Sequence, residues 1–179
     1  MKIHALIAGS LLSTLSYLQS VSAQNFGPFA SAVWMTTCEQ SNFFNTSNSR
    51  TPADAIGPAA NNFNNTNFGI HTQNSGTLIF RGGEVKTFKT ALGNVCSVNL
   101  LYRIYPQSST PGAFTTLELP FFDDCNVSSS QFPTGGPCGA GDQKWQRVIP
   151  NNATNPAPIN LTALSPGNYV LELYYEVIG

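Results

Sequence analysis

The sequence predicts an all-β fold, an antiparallel β-sandwich of the jelly-roll or immunoglobulin-like kind that disulfides hold together. Three observations support this prediction: short segments alternate apolar and polar residues, turns rich in glycine and proline separate them, and no segment sustains a helical period. The predicted strands are, in chain order, Ala30–Met35, Thr77–Arg81, Glu84–Phe88, Cys96–Tyr105, Ala113–Leu119, Lys144–Ile149 and Tyr169–Ile178.

The first 23 residues have the features of a secretory signal peptide. Lys2 precedes an apolar run from Ala5 to Leu18, and Val21-Ser22-Ala23 forms a cleavage site of small residues. The run is shorter than the about 20 apolar residues of a spanning helix, and no later segment is apolar enough to cross a membrane. We expect cleavage after Ala23 and one mature domain, residues 24–179, that is secreted or lies at the cell surface.

The first predicted strand leads into a long polar segment. Ser41–Ser75 is rich in Asn, Ser and Thr and shows little periodicity, which predicts a loop. Long loops in compact domains are commonly functional or mobile. We expect aromatic side chains to pin this loop onto the core, namely Phe43, Phe44, Phe63 and Phe68.

Gly82-Gly83 predicts a tight hairpin between two of the strands. Glycine adopts the positive φ angles that a two-residue hairpin turn requires. The flanking segments, Thr77–Arg81 and Glu84–Phe88, have the composition of strands.

The remaining strands are bounded by turn residues. Cys96–Tyr105 alternates its side chains cleanly, Pro120 ends Ala113–Leu119, and a Ser-Pro-Gly turn precedes Tyr169–Ile178. The last of these strands is long and aromatic, so it is also a candidate for edge-to-edge pairing with another chain.

Composition limits the classes of partner and of chemistry. Only 9% of the residues are charged, the formal net charge is −1, and the arginines are scattered rather than clustered. Nucleic acid is therefore not an expected partner. Few carboxylates or bases are available for catalysis.

The four cysteines predict two disulfides, because their number is even and they follow a signal peptide. We favour a Cys125–Cys138 bridge, since both residues flank a loop rich in Pro, Gly and Ser, and hence a Cys38–Cys96 bridge. A four-cysteine zinc site is the alternative, although the sequence contains no Cys-x-x-Cys pair.

Hydrolytic chemistry finds little support in the sequence. His71 is the one histidine after the signal peptide, and the chain lacks both a Gly-x-Ser-x-Gly elbow and a His-Glu-x-x-His motif. A glycosidase needs two carboxylates about 5–9.5 Å apart. Glu118 with Glu172, on different strands, is the pair left open, against the interpretation that both glutamates simply face solvent.

Calcium is the metal that the sequence best fits. Asp123, Asp124 and Asp142 lie on loops that a Cys125–Cys138 bridge would draw together, and calcium prefers several oxygen ligands. The alternative is that these aspartates form turns and caps. No other cofactor is expected.

Carbohydrate binding is the sharpest functional hypothesis. An exposed aromatic ring stacks on a sugar while amides bind its hydroxyls, and the candidates are Trp145, Tyr174 and Gln143. The favoured alternative for Trp145 is packing in the core of the sandwich. Tyr174, between Glu172 and Glu176, is the better exposed candidate.

The order of several short segments resembles an N-terminal β-sandwich module of secreted or cell-surface proteins of the Bacteroidota. The segments are Gly83–Phe88, Gly93–Val95, Leu101–Pro106, Leu119–Asp123, Gly141–Gln146, Gly167–Tyr169 and Leu171–Glu176. The resemblance covers roughly residues 76 to 179. Modules of this kind often stand at the head of longer proteins exported by the type IX route, so the resemblance implies either a fragment of such a protein or export by another route. It supplies no catalytic residues.

These observations predict a non-catalytic extracellular module for binding or adhesion, whose partner is a glycan or a cell-surface protein. One alternative is an accessory N-terminal domain of a longer secreted enzyme or surface protein, in which case the chain is a fragment. Another is a small secreted glycan hydrolase.

Overall fold

The computed structural model describes residues 25–38, 40–45, 63–75, 77–90, 92–124, 141–150 and 152–179. Within these ranges the chain forms nine strands and a short 3₁₀ helix, Leu161–Ala163. The strands are β1 (Phe26–Thr37), β2 (Gln40–Asn45), β3 (Leu78–Lys89), β4 (Ser97–Pro106), β5 (Thr115–Leu119), β6 (Phe121–Asp124), β7 (Gln143–Val148), β8 (Ile159–Asn160) and β9 (Tyr169–Ile178).

The strands form two antiparallel sheets of unequal width. The large sheet has six strands in the order β2-β1-β3-β7-β6, with β8 paired to β3. The small sheet has three strands in the order β5-β4-β9. The all-β, antiparallel prediction is therefore confirmed.

Both sheets contribute to one buried hydrophobic cluster. The large sheet supplies Val33, Met35, Phe80, Val85 and Trp145, and the small sheet supplies Val98, Leu100, Leu117, Leu119 and Leu173. Contacts between the sheets set their alignment. The rings of Phe80 on β3 and Tyr102 on β4 lie 4.9 Å apart, and Tyr175 Oη on β9 donates to the carbonyl of Ala32 on β1 at 2.6 Å. Strand β4 thus faces β3, and β9 faces β1.

Alternation predicted several strands well. Ala30–Met35 lies inside β1, Cys96–Tyr105 coincides with β4 to within one residue, and Tyr169–Ile178 has the bounds of β9. The predicted loop is partly correct: residues 63–75 form no strand, whereas Gln40–Asn45 does. Phe63 is buried and Phe68 packs against the core, as expected of anchors.

The predicted hairpin at Gly82-Gly83 is wrong, because β3 runs through both glycines without a turn. Gly83 pairs with Val33 and Phe80 pairs with Met35, so β3 holds two residues where β1 holds one. This is a β-bulge, and Gly82 adopts its positive φ of 106°. A Cβ on Gly82 would lie 2.2 Å from the carbonyl oxygen of Arg147. These glycines serve close strand packing.

The predicted Cys38–Cys96 disulfide is also wrong, since both cysteines are free and exposed. Cys38 follows the last residue of β1, whereas the segment before Cys96 meets Phe26, the first residue of β1, around Gly179. The 12 residues of β1 put these ends roughly 36 Å apart. A disulfide needs Cα atoms within about 7 Å.

Two predictions fall on residues outside the described ranges, the signal peptide and the Cys125–Cys138 bridge. The predicted anchoring by Phe43 and Phe44 concerns side chains of β2 that lie outside the described part of the structure. Among the residues that are described, no helix has the length and apolar character of a membrane span.

Candidate functional site

A groove of about 820 Å³ opens at one end of the two sheets. Its walls come from residues 63–75, from the 3₁₀ helix and the segment that follows it, and from the neighbouring ends of β4 and β9. Pro106 and Tyr169 are paired at this end of the small sheet, so the groove begins where the β4–β9 ladder ends.

Hydrophobic residues form the floor of the groove. Phe63 and Leu78 are buried there, and the rings of Phe63 and Phe68 are 5.9 Å apart. The amide of Asn74 donates to the carbonyl of Thr162 at 2.9 Å, which ties the polar segment to the 3₁₀ helix. The wall is thus anchored at both ends.

Side-chain amides surround the mouth of the groove. Asn67, Gln73, Gln107 and Asn168 all line it and are exposed. Asn67 Oδ1 accepts from the amide of Gly69 at 2.9 Å, which orients that side chain. The backbone amide of Gln107 donates to the carbonyl of Asn168 at 2.8 Å, so the backbones of these two residues are held together at the mouth. Tyr169 adds a half-buried aromatic ring.

None of the described residues that line the groove is Asp, Glu, Lys or Arg. His71 Nε2 lies 2.9 Å from the carbonyl oxygen of Phe68, an oxygen that can only accept. Nε2 therefore donates a hydrogen bond to this carbonyl. His71 acts here as an anchored polar group.

Two of the sequence-predicted ligand residues lie inside the protein. Trp145 and Gln143 are each 7% exposed. Trp145 Nε1 donates to Thr87 Oγ1 at 3.1 Å, and its ring meets Phe121 edge to face. Of the two roles open to Trp145, the structure gives it core packing. Neither residue is accessible to a surface ligand.

Tyr174 is 46% exposed on the outer face of the small sheet, where it belongs to an aromatic and ionic clamp. Its ring meets Phe114 edge to face at 4.9 Å, and the Arg103 guanidinium lies 4.2 Å from the centre of the Phe114 ring. Arg103 also pairs with Glu172 at 2.7 Å and donates to the carbonyl of Gly112 at 3.0 Å. The hydrogen bond to Glu172 raises the pKa of Arg103. The clamp holds the β4–β5 connection onto the sheet.

The carboxylates considered for hydrolysis are not brought together. In the β5-β4-β9 register, Glu118 stands opposite Asn99 and Glu172 stands opposite Arg103. They are four residues apart along the strands and two strands apart across them, roughly 16 Å in all. That exceeds the about 9.5 Å limit of a glycosidase pair.

The aspartates proposed for calcium occupy one edge of the large sheet. Asp123 and Asp124 on β6 pair with Lys144 and Gln143 on β7, and Asp142 immediately precedes β7. The side chain of Asp124 lies outside the described residues. No three potential metal ligands cluster within the described part of the chain.

A buried charge cluster escaped the sequence analysis. Glu84, Lys86 and Lys144 are 1%, 1% and 3% exposed, although they flank core residues and so point away from the small sheet. Lys144 Nζ lies 3.4 Å from Glu84 Oε2. Burial raises the pKa of Glu84 to about 7, and the two lysines oppose that rise. The alternation of charges around Val85 resembles an exposed strand face, so no sequence signal distinguished it.

Comparison of the chain with protein-family models, with curated proteins and with solved structures gave no match.

Proposed function

We propose that this chain is a secreted, non-catalytic β-sandwich module that binds uncharged glycans in the groove. The observation that supports this most directly is the described lining of the groove, which combines four exposed side-chain amides and a tyrosine and includes no Asp, Glu, Lys or Arg.

The chemistry of the lining matches that of a neutral sugar. Each carboxamide offers two donors and an acceptor, and sugar hydroxyls need both kinds of partner. The Tyr169 ring provides an apolar surface for the C–H face of a pyranose ring. An ionic ligand would lose hydration here without gaining a counter-charge, which is unfavourable. A volume of about 820 Å³ lies within the usual range for small-molecule sites.

An extracellular location suits this function. The predicted signal peptide and the low content of charged residues both favour secretion. Asp123 and Asp142, two of the aspartates considered for calcium, are not among the described residues that line the groove. The same module would also serve as an accessory domain that holds a longer enzyme or surface protein on its glycan.

The test is a glycan array that includes neutral and acidic oligosaccharides, followed by calorimetric titration of each neutral ligand found. Tyr169→Ala should weaken binding at least tenfold, about 1.4 kcal/mol, because the stacking surface is lost. Tyr174→Ala is the matched control, since the same residue type on the same strand faces the opposite side of the sheet. It should leave affinity unchanged.

Two results would contradict the proposal. One is a preference for sialylated or sulfated glycans over neutral ones. The other is loss of binding in Tyr174→Ala with retention in Tyr169→Ala, which would move the site to the clamp. Circular dichroism of both variants shows whether each remains folded.

A further inference from the structure

Strand β9 forms one edge of the small sheet. It pairs with β4 over all ten of its residues, without a register shift. Among the described residues no other strand pairs with β9. Every second backbone amide and carbonyl along an edge strand points away from its partner, so β9 presents a row of donors and acceptors.

The edges differ in how well they are protected. At the other edge of the small sheet, β5 has five residues and ends at Pro120. In the large sheet the edge strands β2 and β6 have six and four residues. Strand β9 has ten residues and contains no proline, lysine or bulge, the usual devices against edge pairing.

Among the described strands, the unequal widths of the two sheets leave a ledge beside β9. The hydrogen bond from Tyr175 to Ala32 places β9 above β1, and β2 extends the large sheet one strand beyond β1. The space next to the β9 edge therefore lies above β2. A strand added there would pair with β9 and rest on the large sheet.

The ledge favours a separate peptide over a second copy of this chain as the partner of β9. If two copies paired through β9 about a two-fold axis, the β2 of each copy would fall where the β1 of the other lies. A single extended segment brings no large sheet of its own, so it fits the ledge without this overlap.

We infer that the β9 edge binds an extended segment of a partner protein that alternates apolar residues with polar ones and places Lys or Arg on its polar face. The charge preference follows from the outer face of the small sheet. Glu176 is exposed and accepts from Asn99 Nδ2 at 3.2 Å, whereas Glu172 is neutralised by Arg103. Glu176 therefore places an exposed negative charge on β9 itself, beside the edge that would receive the segment.

The probe is a fluorescently labelled decapeptide that alternates valine with lysine and threonine, titrated against the full mature protein. A twin peptide carries glutamate in place of lysine, and two further twins are N-methylated on the odd or on the even amides. We expect the lysine peptide to bind at least tenfold more tightly than the glutamate peptide. Only one N-methylated twin should lose binding, because alternate amides face β9.

Matched variants locate the binding edge. Glu176→Lys on β9 should reverse the preference between the lysine and glutamate peptides, whereas Glu118→Lys, the same change at the opposite edge, should preserve it. Equal effects of the two variants, or unchanged binding by both N-methylated twins, would overturn the inference. Sedimentation velocity tests the other possible occupant of the edge, a second copy of this chain. Dimers at micromolar concentration would show that a second copy fills this edge and would overturn the inference.

Discussion

The two sheets treat charged side chains in opposite ways. On the large sheet, the side chains of Glu84, Lys86 and Lys144 are buried, at most 3% exposed. On the small sheet, Glu118 and Glu176 are exposed, and the Arg103–Glu172 pair keeps about a quarter of each side chain in solvent. Acidic and basic side chains thus occupy both sheets, but the free-energy cost of removing their charges from water differs greatly between the two.

The difference shows that burial, rather than the presence of an ion pair, decides what a charge does to stability. Removing ions from water costs several kcal/mol, and their mutual attraction only partly compensates. Glu84 has a raised pKa although two lysines oppose that rise. Exposed pairs such as Arg103–Glu172 are typically worth about 0.2–1 kcal/mol.

The largest effect is expected from breaking the buried cluster. Glu84→Ala should lower the free energy of unfolding by about 3–5 kcal/mol at pH 8, because it removes one partner of the buried Glu84–Lys144 ion pair. Urea unfolding followed by tryptophan fluorescence measures this. Glu172→Ala on the small sheet is the control and should cost at most about 1 kcal/mol. Equal losses of unfolding free energy in Glu84→Ala and Glu172→Ala would mean that charges on the two sheets do not differ in their effect on stability.

A pH dependence of stability should follow from the same carboxyl group. The pKa of Glu84 rises from 4.5 in the unfolded chain to about 7 in the folded protein, so the folded state holds the proton more tightly. Its contribution is therefore fully present below pH 4.5 and is lost as the pH rises to 7. The loss amounts to about 3 kcal/mol.

Unfolding free energies measured between pH 4.5 and 8, for the native chain and for Glu84→Gln, test this sign. The variant should lack this component of the slope. A native chain whose stability rises with pH through this window, with the same slope in Glu84→Gln, would show that other groups dominate.

A smaller effect is expected from replacing two glycines, one in a strand of the large sheet and one in the β4–β5 connection of the small sheet. Gly82→Ala should cost about 1–3 kcal/mol, because the new methyl group meets the carbonyl of Arg147 at a positive φ. Gly112→Ala, in the connection held over the small sheet, meets nothing within 4 Å and should change stability by no more than about 0.5 kcal/mol. Thermal unfolding of both variants compares them, and similar melting temperatures would contradict the bulge interpretation.

Local alternation allowed much of the fold to be predicted. The β4 and β9 strands were recognisable because polar and apolar residues alternate along them, and tertiary packing kept that pattern. The Gly82-Gly83 pair misled for a physical reason. A tight turn and a crowded bulge both require glycine, and only the strands on either side, β1 and β7, distinguish them.

The candidate site was less predictable than the fold. The sequence ranked Tyr174 above Trp145 as an exposed ring but placed neither in a site, because exposure depends on which face of its sheet each one occupies. The groove combines segments far apart in the chain, so no local motif marks it. The amide-rich lining that marks the groove is assembled only when β4 and β9 pair and bring these segments together.

The joining of β4 and β9 has a consequence for folding kinetics. The groove needs the ends of both strands, yet Ile104 and its partner Leu171 are separated by β5, β6, β7 and β8 along the chain. Pairings of such large sequence separation form slowly, because the intervening chain must first lose its freedom. During refolding, ligand binding would therefore recover after most of the secondary structure, and it would report completion of the fold.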